Sequence, residues 1–291
     1  DNKIKEISEN LPAMYDLLPT QKYYDAKGSY IKIIDQGDFS SLNTTVQDLN
    51  YQEAAEFLTE DHHLNSLAAA NAENLHIPTF DDFDMRSAGV DVYAINGCKT
   101  ATIGKITEKR FKNIFGQQFT EYQNIKYALG DGTVPLESAT NLPINQENKY
   151  YALAADHGRM LSQDGIRQQI VNIVSGSSLL SHGDIITQNI DDCQLNGKAI
   201  SVFSPVDIFT ADQYGNRLGL AEDGSVINEI PGASFDVLGE HKFMYLPNDS
   251  GQVYEIHMKG TGGGTFTVKA QDIINGQIIK TEVFSNLPVT E

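Results

Sequence analysis

The sequence predicts an α/β domain followed by an all-β antiparallel domain. Three observations lead there. In residues 1 to 176, short β-branched and aromatic runs alternate with segments of helical periodicity, whereas from Lys198 onward that periodicity disappears. In this second part, strand-like runs are separated by dense turn signals: Tyr214-Gly215-Asn216, Asp223-Gly224, Asn248-Asp249-Ser250-Gly251 and Asn275-Gly276. Finally, 291 residues with 40% hydrophobic content are ample for two cores. The expected division is 1–176, a linker over 177–197, and 198–291.

Taken in order, residues 1 to 10 read as a helix with Ile4, Ile7 and Leu11 at helical spacing, ending at the Pro12 segment. Tyr30 to Ile34 alternate as a strand does, and Gln36-Gly37-Asp38 turns out of it. Asn50 and Glu53 have the spacing of a capping box, ahead of a helix presenting Ala54, Phe57 and Leu58. Leu64, Leu67, Ala68 and Leu75 mark a second amphipathic stripe. The acidic loop Asp81-Asp82-Phe83-Asp84 suits either a solvated turn or a calcium ion. Val90 to Ile95 is a β-branched and aromatic strand that Asn96-Gly97 is expected to halt. Residues 101 to 125 carry a weaker extended pattern, read as a β-hairpin excursion.

The chemistry concentrates between Lys126 and Leu161. Tyr127, Ala128 and Leu129 read as the end of a buried strand; Gly130 and Gly132 allow a sharp turn beside Asp131, and Pro135 forbids the strand to continue. One carboxylate is thus expected on a rigid loop. Tyr150 to Ala154 then deliver His157 to a similar loop, after which Ser162 or Asp164 is expected to cap a helix with Ile166, Ile170, Ile173 and Val174 on one stripe. Acid, histidine, helix is the closing order of an α/β-hydrolase. Both residues would lie at the C-terminal ends of parallel strands, the Val90–Ile95 strand beside the one ending at Leu129.

The run GDGTVPLES with Asp131, followed by DHGRML with His157, resembles the end of the catalytic domain in the lecithin:cholesterol acyltransferase-like branch of the α/β-hydrolases. Leu11-Pro12-Ala13-Met14-Tyr15-Asp16-Leu17-Leu18-Pro19 is similar to the PSMYxLLP segment that these lipases, phospholipases and acyltransferases carry between the nucleophile and the cap. The resemblance covers residues 1 to 176. It implies hydrolysis or transfer of an acyl group from a lipid-type ester, with Asp131 and His157 as catalytic residues, a cap that contributes acyl-chain contacts, and no cofactor or metal.

The sequence departs from that family in one respect. No GxSxG elbow occurs, and Ser175-Gly176-Ser177-Ser178 follows the terminal helix where an elbow would follow a strand. The chain also begins at Asp1, within the first helix. It is therefore expected to be the C-terminal part of a longer protein, with the serine and oxyanion hole in the missing N-terminal hydrolase half. The competing expectation is a non-catalytic surface, adhesion or carbohydrate-binding protein that keeps a degenerate hydrolase half.

In the second part, Ile273-Ile274-Asn275-Gly276-Gln277-Ile278-Ile279 carries the favoured signal for a two-residue type I′ hairpin. The strand spacing predicts an antiparallel β-sandwich, immunoglobulin-like in general form, that folds alone and docks a surface or polymer or stiffens the hydrolase. Alternation turns Tyr245, Tyr254, Phe266 and Phe284 inward. Gly260 to Gly264 is a turn between strands, and Asp207 and Asp212 are candidates for a calcium site.

The formal charge is −18, and residues 198 to 291 hold 12 acids against 6 bases, leaving 27 against 15 for the remainder. Neither part is basic, which argues against nucleic-acid binding and against electrostatic adhesion to anionic membranes. No apolar run approaches the roughly 20 residues that span a bilayer. Cys98 and Cys193 suit neither a metal site nor a CxxC pair; they are either both free or joined in one disulfide. His62-His63 beside Asp61 look ligand-like, but adjacent helical residues point in different directions. The protein is expected outside the cell or at its surface.

Overall fold

The computed structural model describes residues 9–37, 44–181, 185–221, 223–248 and 251–290. The fold is mixed, with about 42% strand in several sheets and 25% helix. Two compact units emerge: residues 1–91 with 105–124, and residues 92–104 with 125–291. These boundaries differ from the expected breaks at 176 and 198, because the loops carrying Asp131 and His157 belong with the C-terminal sheets. The helix expected over residues 1–10 lies almost wholly outside the described residues, as does Asp38 of the expected turn.

In unit 1, α1 (Pro12–Tyr15) has a proline as its first residue, where the ring costs no helical hydrogen bond. Tyr15 is buried, and its hydroxyl accepts from the Asn65 amide at 2.7 Å while donating to the Glu9 carbonyl at 2.5 Å. After α2 (Gln21–Lys27) come β1 (Ile31–Asp35) and β2 (Thr45–Asp48), then α3 (Tyr51–Glu56) and α4 (Ser66–Leu75). The Asn50/Glu53 capping box forms in both directions: the Glu53 amide donates to Asn50 Oδ1 at 3.0 Å, and the Asn50 amide donates to Glu53 Oε2 at 2.8 Å. In α4 the buried stripe is Ala68 and Ala72, packed with Tyr15, while the expected Leu67 and Leu75 face solvent.

Next in the chain are β3 (Ala94–Cys98) and the long hairpin of β4 (Thr100–Lys112) and β5 (Gln118–Gly130), which fills the expected 101–125 excursion. One sheet has the order β2-β1-β4-β5, with β1 parallel to β4 and Ile31 opposite Ile106. Tyr24, Ile31, Leu49, Ala54 and Phe57 form its core. A cavity of about 470 Å³ opens in this unit, lined by side chains that include Tyr15, Leu18, Tyr51, Leu58, Leu64 and Ala72.

The ligand-like histidine pair is resolved here. His62 Nε2 lies 2.9 Å from Glu108 Oε2, and Arg110 donates both to Glu108 at 2.8 Å and to Asp61 at 2.8 Å. Burial pushes the Glu108 carboxyl up, but the hydrogen bonds from His62 and Arg110 outweigh it and hold the group below its ordinary range. In the acidic loop, Asp81 Oδ1 is 2.7 Å from His76 Nδ1 and Asp84 pairs with Arg86. Among the described residues no group of three or more metal-type side chains converges.

In unit 2, α5 (Leu136–Ala139) leads to β6 (Lys149–Leu153), then α6 (Asp164–Val174) and β7 (Ile186–Thr187). β3 runs parallel to β6, with Ala94 opposite Lys149 and Cys98 opposite Leu153, and β7 is antiparallel to β6. Several expectations need correction here. The strand near Val90 starts at Ala94 and continues through Asn96-Gly97, because Gly97 there is extended chain and not a turn. Its ladder partner is β6, whereas the segment after Leu129 bridges from Asp131 to Thr100 at the start of β4. At α6, Gln163 occupies the cap position without a side-chain bond, so neither Ser162 nor Asp164 caps the helix. Its buried residues are Gly165, Ile166 and Gln169, while Ile170 and Val174 are exposed.

The segment 177–197 is not a bare linker. Beyond β7 it holds a short turn ending at Cys193, which forms a disulfide with Cys98 across 95 positions, both residues fully buried. The remaining strands are β8 (Gly197–Phe203), β9 (Val206–Asp212), β10 (Arg217–Leu220), β11 (Val226–Asn228), β12 (Ser234–Leu238), β13 (His241–Pro247), β14 (Tyr254–Gly260), β15 (Gly264–Ile274) and β16 (Gln277–Val289). They make a five-stranded sheet, β12-β13-β8-β15-β16, and a four-stranded sheet, β11-β10-β9-β14, with antiparallel pairings. Ile200, Val202, Ile208, Leu218, Met244 and Val268 form the core that the two sheets share.

The Asn275-Gly276 hairpin closes β15 on β16 with Ile274 opposite Gln277, and both central residues have the positive φ that a type I′ turn requires, 51° and 70°. Tyr245 is buried and Tyr254 and Phe266 pack against the core, but Phe284 is half exposed because β16 is the sheet's edge. Asp207 pairs with Lys242, and Asp212 accepts from the Asn216 and Tyr214 amides of its own turn.

The outer face of the five-stranded sheet is covered. Phe243 and Tyr245, alternating with the core-facing Met244 and Leu246, are each at most 1% exposed, and Tyr127 of β5 lies against Tyr245 with ring centroids 5.8 Å apart. The Tyr127 hydroxyl donates to Asp236 Oδ2 at 3.3 Å. Burial pushes the Asp236 carboxyl up to about 6, with the Tyr127 hydrogen bond opposing. Burial also raises Tyr127 well above the usual phenol range, so it stays a donor.

Candidate active site

The site is built from the ends of β5 and β6. Gly130 ends β5, where an added Cβ would meet Thr102 Oγ1 at 2.3 Å and the Val134 carbonyl at 2.4 Å; only glycine fits. Gly132 follows with φ +91°, reversing the chain so that its amide donates to Thr102 Oγ1 at 2.9 Å. Asp131 is held between them. Its Oδ1 accepts from the Thr133 amide at 3.0 Å and the Val134 amide at 2.7 Å, which aims Oδ2 away from its own loop.

β6 ends at Leu153, and Ala154 takes φ +52° with its amide donating to the Cys98 carbonyl at 2.9 Å. This bend brings Ala155 into the core and His157 over Asp131. The His157 amide donates to the Asp131 carbonyl at 2.9 Å, and His157 Nδ1 lies 2.8 Å from Asp131 Oδ2. The structure thus brings together the two residues selected from the sequence.

The protonation pattern follows from valence. A carboxylate only accepts, so a neutral imidazole bonded to it through Nδ1 carries its hydrogen there and its lone pair on Nε2. Among the described residues Nε2 has no hydrogen-bond partner. The Asp131 side chain is 8% exposed and that of His157 is 52% exposed, so a shielded carboxylate orients a ring whose other nitrogen faces solvent. Such an imidazole is set to take a proton at Nε2, with its cation stabilised by Asp131.

Compared with known proteins, the chain matches no family model and no curated protein.

Several residues that support the site escaped the sequence reading. Gly97 of β3 runs beneath Asp131, and a Cβ there would come within 2.5 Å of the Asp131 Cβ and 2.6 Å of the Met160 Cε. Thr102 ties the Gly132 amide, and Thr100 Oγ1 reaches the Ala155 carbonyl at 3.4 Å. The Asn96-Gly97 pair gave the opposite signal, a turn, and the threonines carried none. Of the serines near these loops, Ser162 donates to the Arg159 carbonyl at 2.7 Å and Ser177 accepts from the Leu179 amide at 3.3 Å. Among the described residues no hydroxyl is hydrogen-bonded to His157.

Proposed function

We propose that Asp131 and His157 are the acid and base of a serine-dependent centre that hydrolyses or transfers the acyl group of a lipid-type ester. The observation that carries this reading is the 2.8 Å bond from His157 Nδ1 to a carboxylate already fixed by two backbone amides, with Nε2 unpartnered. In this reading the serine sits on an elbow outside these 291 residues, since none of them forms a GxSxG sequence. Residues 1–176 are then the closing part of an α/β-hydrolase of the lecithin:cholesterol acyltransferase-like type, and residues 198–291 an immunoglobulin-like sandwich.

As the serine oxygen attacks the ester carbonyl, its proton passes to His157 Nε2, and Asp131 stabilises the imidazolium through Nδ1–H. Collapse of the tetrahedral intermediate expels the alcohol, which takes the proton from Nε2. Water or an acceptor alcohol then enters by the reverse sequence, which yields hydrolysis or transfer. The Cys98–Cys193 disulfide supports a place outside the cell or at its surface.

The test is labelling by a serine-directed phosphonate and turnover of a long-chain ester. A protein extended upstream to include the elbow should be labelled there, and His157→Ala should lower its turnover by several orders of magnitude. The 291-residue chain alone should remain unlabelled. A labelled serine within these residues, or full activity of the His157→Ala protein, would overturn the proposal.

A further inference from the structure

The turn between β4 and β5 exposes an apolar apex that no core accounts for. Phe115 is 86% exposed and Ile114 is 69% exposed, side by side in the loop of a hairpin whose strands are each 13 residues long. The apex is rigidly organised. Asn113 Oδ1 accepts from the Phe115 amide at 2.9 Å and from the Gln117 amide at 3.0 Å, and the Asn113 amide donates to the Gln117 carbonyl at 2.9 Å. Gly116 completes the turn at φ +76°. Just behind it Phe111 and Phe119 stack across the two strands, with ring centroids 5.6 Å apart and planes 16° from parallel. An aromatic pair braces a turn that presents two large apolar side chains outward.

The charge around this apex differs from that of the chain. Residues 105 to 119 carry Lys105, Lys109, Arg110 and Lys112 against the single acid Glu108, in a protein of net charge −18. The sequence reading missed this local excess because it counted charge over whole domains. Arg110 and Lys105 are engaged by Glu108 and by Asp48, while Lys109 lies over the Phe111 ring at 5.3 Å. Cations two to five residues behind an apolar tip match the layering of a lipid surface, where phosphates lie just outside the acyl region.

We propose that the β4–β5 apex is a lipid anchor: Ile114 and Phe115 enter the acyl region of a phospholipid bilayer, and the cationic stretch behind them faces its phosphates. Apolar insertion supplies most of the affinity, with anionic lipid adding a smaller, salt-sensitive part. The anchor stands on the hairpin alone and does not depend on the ester chemistry assigned to Asp131 and His157.

The chain contains no tryptophan, so Phe115→Trp places a single reporter at the apex. With the 291-residue chain and phosphatidylcholine vesicles, its emission should shift to the blue, and wild-type protein should float with the vesicles. Ile114→Ser with Phe115→Ser should reduce vesicle partitioning on the order of 100-fold, from loss of two buried side chains, with unchanged circular dichroism. Phe284→Ser, on the exposed edge strand, should leave partitioning unchanged. Four results would each overturn the proposal: no blue shift, flotation of the double serine variant equal to wild type, loss of flotation by the Phe284 variant, or concentration-dependent self-association through the apex without vesicle binding. If the double variant misfolds, the Phe115→Trp emission decides alone.

Discussion

Asp236 offers the most quantitative test of how unit 2 is assembled. Its carboxyl is pushed up to about 6 by burial, from an ordinary value of 3.8, in the layer where Tyr127 covers the outer face of the five-stranded sheet. Between about pH 4 and 6 the folded chain therefore holds a proton that the unfolded chain has released. The contribution of this group to stability rises as pH falls through that window and is least favourable above pH 6. At 1.36 kcal/mol per pH unit the full swing is at most about 3 kcal/mol. Asp236→Asn keeps an acceptor for the Tyr127 hydroxyl and removes the charge. Urea unfolding at a series of pH values, followed by tyrosine circular dichroism without reductant, should find the variant equal to wild type near pH 3.5 and more stable by about 2–3 kcal/mol at pH 8. The pH dependence of that difference isolates Asp236 from the other acids. A difference that stays flat with pH, or one that favours wild type at pH 8, would refute the buried-carboxyl argument.

Two other substitutions test the site's support. Gly97→Ala places a Cβ 2.5 Å from the Asp131 Cβ, which a backbone-tied carboxylate cannot yield to; it should destabilise unit 2 by about 1–3 kcal/mol in thermal unfolding. Replacing both Cys98 and Cys193 with alanine releases a closure of 95 positions and should cost about 4–5 kcal/mol on the chain-entropy account, read as a lower melting temperature that reductant no longer changes.

The local features were legible in the sequence because each depends on residues within a few positions of one another. The Asn50/Glu53 capping box and the Asn275-Gly276 hairpin are hydrogen-bond patterns closed inside four residues, and their geometry needs no distant partner. The Gly130-Asp131-Gly132 loop and His157 were readable for a related reason: glycines on either side of a carboxylate, and a histidine just past a strand, prescribe a backbone path before any packing is known. Only the tertiary structure decided what lies across from these elements. Asn96-Gly97 became strand because it pairs with Tyr151 and Ala152 of β6, which β3 took as its partner over the end of β5. Phe284, Leu67 and Val174 obeyed the right periodicity yet stayed exposed, since alternation names a face and only a neighbouring element covers it. The joining of Cys98 to Cys193 and the burial of Asp236 under Tyr127 likewise depend on residues about 100 positions apart, a distance over which sequence pattern carries no geometric constraint.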